Sequence, residues 1–123
     1  YMGAVLTAGG ISSHIGAQSV PTCYSGSALQ SQTWFHAVIG FSTSTQTLSL
    51  AYNGSENCSL TTSSETLSGS SVNLTLGSAL DSGGAIRAGT SWNGAIGEFR
   101  AYNQRLSGAQ SATHRNAVVS KYP

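Results

Sequence analysis

The chain has 123 residues, a formal net charge of +1 and only 7% charged residues, and residues 1–55 contain no Asp, Glu, Lys or Arg at all. That length supports one core and not two, so residues 1–123 are expected to form a single domain. The near-neutral balance argues against nucleic acid as a partner, and no apolar run approaches the roughly 18 residues of a membrane span. A surface this poor in charge needs another source of solubility: Ser and Thr, about a quarter of the chain, attached sugars, or a covering partner.

The first clear element is Trp34-Phe35-His36-Ala37-Val38-Ile39-Gly40-Phe41. Phe35, Ala37, Ile39 and Phe41 form one apolar face and Trp34, His36 and Val38 the other, which predicts a strand covered on both sides, with Trp34 in the core. Polar residues 42–46 read as a turn. In residues 47–52, Leu48, Leu50 and Tyr52 alternate with Thr47, Ser49 and Ala51, a second strand. Asn53-Gly54 ends it as a tight hairpin, because both central positions of a type I′ turn need positive φ.

Residues 60–71 read as a long exposed loop of the kind that can carry O-linked sugars. Beyond it, Val72, Leu74 and Leu76 face one way and Asn73 and Thr75 the other, giving a further strand, and Asp81-Ser82-Gly83-Gly84 is a loop. Residues 92–103 are expected to be the last long strand, entered through Asn93-Gly94. Glu98 and Arg100, two apart, would share a face there and pair with each other or with strand neighbours. Ser107-Gly108-Ala109-Gln110 has the form of a capping box and predicts a helix from Gly108 to about Asn116. The fold class is therefore all-β, an antiparallel β-sandwich or jelly roll with a short C-terminal helix.

Three sequons occur, at Asn53, Asn57 and Asn73. A sugar on Asn73 would project from the solvent face of its strand, while Asn57 is the poorest acceptor because Cys58 follows it. Cys23 and Cys58 form an even count that suggests one disulfide, the alternative being two buried thiols. Sequons and cysteines together point to a secreted, extracellular or cell-surface glycoprotein. The chain opens at Tyr1 with no initiator Met and no leader pattern, which reads as a processed product or a fragment.

The order Trp92-x-Gly94-x-Ile96-Gly97-Glu98-Phe99-Arg100-Ala101-Tyr102-Asn103-Gln104-Arg105-Leu106-Ser107 resembles the closing motif of laminin-G-like, concanavalin A-like jelly rolls. Trp34-x-His36-Ala37-Val38 looks like that family's Trp-x-His strand, Leu50-Ala51-Tyr52-Asn53-Gly54 like its hairpin, and Leu74-Thr75-Leu76-Gly77 like the strand end between them. The resemblance implies structural roles for Trp34, His36, Gly94, Glu98, Arg100, Tyr102 and Ser107. It departs from the family at Gly97, where an Asp is usual, which weakens any inherited metal site. Only residues 1–28 stand where the family has several strands, so N-terminal strands are expected to be missing or supplied by another segment or chain.

Related jelly rolls include glucanases, but glycoside hydrolysis needs two placed carboxylates. This chain has only Glu56, Glu65, Asp81 and Glu98, with Glu56 and Glu65 expected in loops and Glu98 paired. No Gly-x-Ser-x-Gly elbow occurs, and His14, His36 and His114 lack an evident orienting carboxylate, so no catalytic residues are assigned. The resemblance implies glycan recognition instead, with Asp81, Ser82, Gly83, Gly84, Arg87, Trp92 and Asn93 as the loop cluster to test. Trp92 reads either as a core aromatic or as a sugar-stacking face. No cofactor is required; calcium would find Asp81, Asn93 and backbone carbonyls, a poor ligand set. The alternative is a structural subunit of a filament, matrix or fibre, whose uncharged half packs against its own copies or other extracellular proteins.

Overall fold

In a computed structural model of the chain, Asn53 and Gly54 take φ of 49° and 83° and join β5 (Thr47–Tyr52) to β6 (Ser55–Thr61) with Tyr52 opposite Ser55. This is the two-residue hairpin that their tolerance of positive φ favours. The structure describes residues 2–7, 10–15, 22–26, 29–30, 32–62, 75–78, 84–89 and 91–122. They belong to two compact units, residues 1–68 with 102–123 and residues 69–101.

The first unit holds two three-stranded antiparallel sheets. One has the order β1 (Met2–Thr7), β2 (Gly10–Ile15), β3 (Thr22–Tyr24); the other has β4 (Ala37–Ser42), β5, β6. The β2–β3 ladder continues past its last pair because Ser25 N–H donates to Ile11 O at 2.8 Å and Ile11 N–H donates to Ser25 Oγ at 3.0 Å, which explains why Ser25 is buried. Ile11 and Cys23 from the first sheet meet Phe41, Leu48 and Leu50 from the second in one core. The Cys23–Cys58 disulfide closes β3 onto β6, with Cα atoms 5.5 Å apart.

A β-bulge makes that closure possible. Cys58 stands opposite Leu50 and Glu56 opposite Ala51, so Asn57 is the extra residue, and its Oδ1 accepts from Tyr52 N–H at 2.9 Å. In a regular strand Glu56 and Cys58, two apart, would share a face. The inserted residue turns Cys58 to the core and Glu56 to the opposite side.

That opposite side carries Gly40 and Ser49 as a cross-strand pair, beside Ala51. It is covered by the chain that follows residue 104. A Cβ on Gly40 would lie 2.8 Å from Arg105 Cγ and 3.2 Å from Ser49 Oγ, so only glycine leaves room for the arginine stem to lie across the sheet. After Arg105 comes α1 (Gly108–Val118), and Leu106 and Ser111 are buried in this cover. The capping box forms as its sequence specifies: Gln110 N–H donates to Ser107 Oγ at 3.3 Å and Ser107 N–H donates to Gln110 Oε1 at 2.8 Å. With a layer on each side, Leu48, Ser49, Leu50 and Ala51 are all buried.

Several expectations are corrected. Residues 2–24 contain three strands that periodicity alone did not show. The Trp34 segment enters its ladder only at Ala37, and Trp34 is 40% exposed, not in the core. Lying outside the ladder, its ring is not directed inward by strand alternation and packs on Tyr122, centroids 4.8 Å apart. Glu56, Leu60 and Thr61 lie in β6 and not in loops, because the hairpin turn carries pairing through the polar stretch after it.

Residues 63–74 and 79–83, which include Glu65, Asn73, Asp81, Ser82 and Gly83, fall outside the described residues. Of the strand expected around Val72–Leu76, Thr75 and Leu76 are described, and they are not in a strand. In the second unit no strand is formed by residues 91–101, and residues 102 and 103 beyond them are not in a strand either, so the last long strand is absent. No described strand pairs with this segment, and an extended chain without a ladder partner has nothing to hold it. Local packing takes over: Trp92 N–H donates to Gly77 O, and the Trp92 indole lies so close to Gly94 that a Cβ there would come within 2.7 to 2.9 Å of it.

Candidate functional site

The described part of the candidate glycan loop lies in the second unit. Gly84 and Gly89 adopt φ of 83° and 74°, bracketing an exposed segment that carries Ile86 and Arg87. Asn93 is exposed, whereas Trp92 is half-buried against Gly94. The indole thus packs against its own turn at Gly94. Asp81, Ser82 and Gly83 lie outside the described residues, so the cluster is seen only through Gly84, Arg87, Trp92 and Asn93.

In the same unit Glu98 Oε1 accepts from Arg100 Nε, with side chains 27% and 49% exposed. The pair forms across i, i+2 as the sequence suggested, although the backbone that carries it is not a strand.

The remaining motif residues act within the first unit. Tyr102 OH lies 3.3 Å from the His114 ring nitrogens, the two rings meeting edge to face at 5.2 Å. Ser107 caps α1. His36 is tied through its backbone to Asn53: Asn53 N–H donates to His36 O at 2.7 Å, and His36 N–H donates to Asn53 Oδ1 at 3.0 Å. Asn53 and Asn57 are both exposed, and each uses its Oδ1 in a backbone hydrogen bond. That leaves Nδ2, the nitrogen a glycan would occupy, outside these contacts. Asn57 has a second duty as the bulge residue.

Arg105 is the residue whose role the sequence hid. Its Nε donates to Ser49 Oγ at 2.8 Å and its second guanidinium nitrogen donates to Glu56 Oε2 at 2.8 Å, with side chains 24% and 33% exposed. Such a fork is specific to arginine. The one signal available beforehand was Gly40, an isolated glycine within an apolar strand, which marks a close approach by another group. Glu56 and Glu98, the described carboxylates, are therefore each held by an arginine.

Among the described residues no three His, Cys, Asp or Glu side chains gather as metal ligands. Nor is any described helix long and apolar enough to cross a membrane.

A disulfide-closed pair of antiparallel sheets backed by a helix defines an all-β module. Residues 3–110 match the laminin G-type family profile described as the concanavalin A-like lectin/glucanases superfamily, and the chain belongs to that family. No curated protein matches the sequence. The fold is similar to a crystal structure of an S-layer domain-containing protein, residues 221–444, from Clostridium thermocellum, with a TM-score of 0.60 and 25% sequence identity. That similarity covers 85% of this chain and 51% of the other, so the chain spans about half the length of its structural relative.

Proposed function

We propose that the chain is a secreted, glycosylated, non-catalytic module of an extracellular or cell-surface assembly, with glycans as its binding partners and no cofactor. The sandwich would be that of a concanavalin A-like jelly roll, and residues 1–123 would act as one domain. The observation that carries the reading is the Cys23–Cys58 bridge between the two sheets, a link that persists in an oxidising compartment. Family membership supports glycan recognition, and the S-layer domain-containing relative supports a place at a cell surface. The non-catalytic reading is supported by Glu56 and Glu98, each engaged in an ion pair, which leaves neither poised as acid or nucleophile.

An assembly role has its own support. Leu76, Ile86, Ile96 and Phe99 in the second unit are all about half exposed or more, a surface that a second chain would cover. Native material should carry sugar on Asn53 and Asn73 in peptide mass spectra, resist thiol alkylation without reductant, and bind at least one glycan on an array. Bare asparagines, free thiols and a silent array together would sink the proposal.

A further inference from the structure

We propose that the groove between the β4–β5 turn and residues 103–105 binds an uncharged, hydroxyl-rich oligosaccharide. The inference rests on the glycan-recognition reading and moves the contact away from the 81–93 loop. Phe41, Ser42, Thr43, Ser44 and Thr45 form one wall, Asn103, Gln104 and Arg105 the other, around a volume of about 390 Å³. That lies within the roughly 300–1,000 Å³ of small-ligand sites.

The turn wall and the Arg105 end of the facing wall are held in place before any ligand arrives. In the turn, Ser42 Oγ lies 3.1 Å from Ser44 Oγ and accepts from Thr45 N–H at 3.3 Å, while Gln46 Nε2 donates to Thr43 O at 2.9 Å. Its base is pinned by Thr62, whose N–H donates to Gln46 O at 2.7 Å. The facing wall ends at Arg105, anchored over Gly40 by Ser49 and Glu56. A preformed site avoids part of the ordering cost of binding.

What the walls offer decides the ligand class. The Thr43 hydroxyl and the Asn103 and Gln104 carboxamides take no hydrogen bond from the described residues. Each can both donate and accept, as vicinal sugar hydroxyls do. Arg105 contributes no unbalanced charge, since Glu56 neutralises it, so an anion gains little here. Phe41, buried at the base, offers no apolar pocket for a peptide side chain, and a turn offers no ladder for an added strand. Recognition by hydrogen bonds without a stacking face gives weak affinity, of the kind that multivalent presentation amplifies.

The test is an amide chemical-shift titration of the disulfide-intact chain with soluble uncharged oligosaccharides of glucose, mannose, xylose and N-acetylglucosamine. Shifts centred on residues 43–45 and 103–104 are expected with at least one of them. Asn103→Ala with Gln104→Ala should weaken that binding about tenfold or more while leaving the melting temperature unchanged. Thr43→Val, on the opposite wall, should weaken it by a smaller factor and guards against a folding artefact in the double variant. Shifts confined to residues 84–93 would overturn the groove and preserve glycan recognition. No shift with any sugar would overturn both, and groove shifts produced only by an uncharged polar peptide control would overturn the ligand class.

Discussion

Leu48, Leu50 and Ala51 on β5 are buried, whereas Leu76, Ile86, Ile96 and Phe99 in residues 69–101 are exposed. The two regions are not separated by hydrophobicity but by what covers them. β5 lies in the middle of its sheet, with the disulfide-linked core on one face and Arg105, Leu106 and α1 on the other. That second cover depends on two small residues, Gly40 and Ser49, and on one bulge that sends Glu56 outward to meet the guanidinium. Among its described residues, the 69–101 unit shows a local turn packed by Trp92 and the Glu98–Arg100 ion pair. A substitution should therefore cost much more in the first region than in the second.

The largest loss is expected from removing the bridge. Cys23→Ala with Cys58→Ala opens a loop of sequence separation 35 and should lower the unfolding free energy; the chain-entropy model puts the loss at about 3–4 kcal/mol. Urea denaturation checks this, and a loss under about 1 kcal/mol would mean that packing alone holds the sheets. Gly40→Ala comes next. Its methyl group would displace Arg105 and with it two hydrogen bonds, for a cost of about 2 kcal/mol. If Arg105→Ala were made first, Gly40→Ala should become nearly neutral, a coupling that a double-mutant cycle reads directly.

Ser107→Ala removes one half of the capping box and should cost about 1 kcal/mol by thermal melting. Smallest of all is Glu98→Gln in the second unit. Its partly exposed ion pair is worth under about 1 kcal/mol. Stability should fall by that little, and any glycan binding should be unaltered. A Glu98→Gln loss as large as that of Gly40→Ala would erase the contrast between the regions.

What the sequence made legible was local. Asn53-Gly54, the Ser107–Gln110 box and the Glu98–Arg100 spacing each carry their chemistry within four residues, and the structure forms all three. β5 was legible because Leu48 and Leu50 keep a strict period. β6 was obscured because its residues are largely polar and Asn57 breaks its period. The Arg105 contacts join residues 49 and 56 positions apart, and no local pattern encodes that distance. Of the candidate glycan loop, only Gly84, Arg87, Trp92 and Asn93 are described. The groove between residues 41–45 and 103–105 was not legible, since it exists only where two distant segments meet.

The most direct measurement is the light-scattering mass of native, glycosylated material purified without denaturant. A discrete multiple of the glycosylated protomer mass is the expected result if, as proposed, a second copy covers the exposed Leu76, Ile86, Ile96 and Phe99. A monomer at every concentration would contradict the assembly role and leave glycan recognition to stand alone.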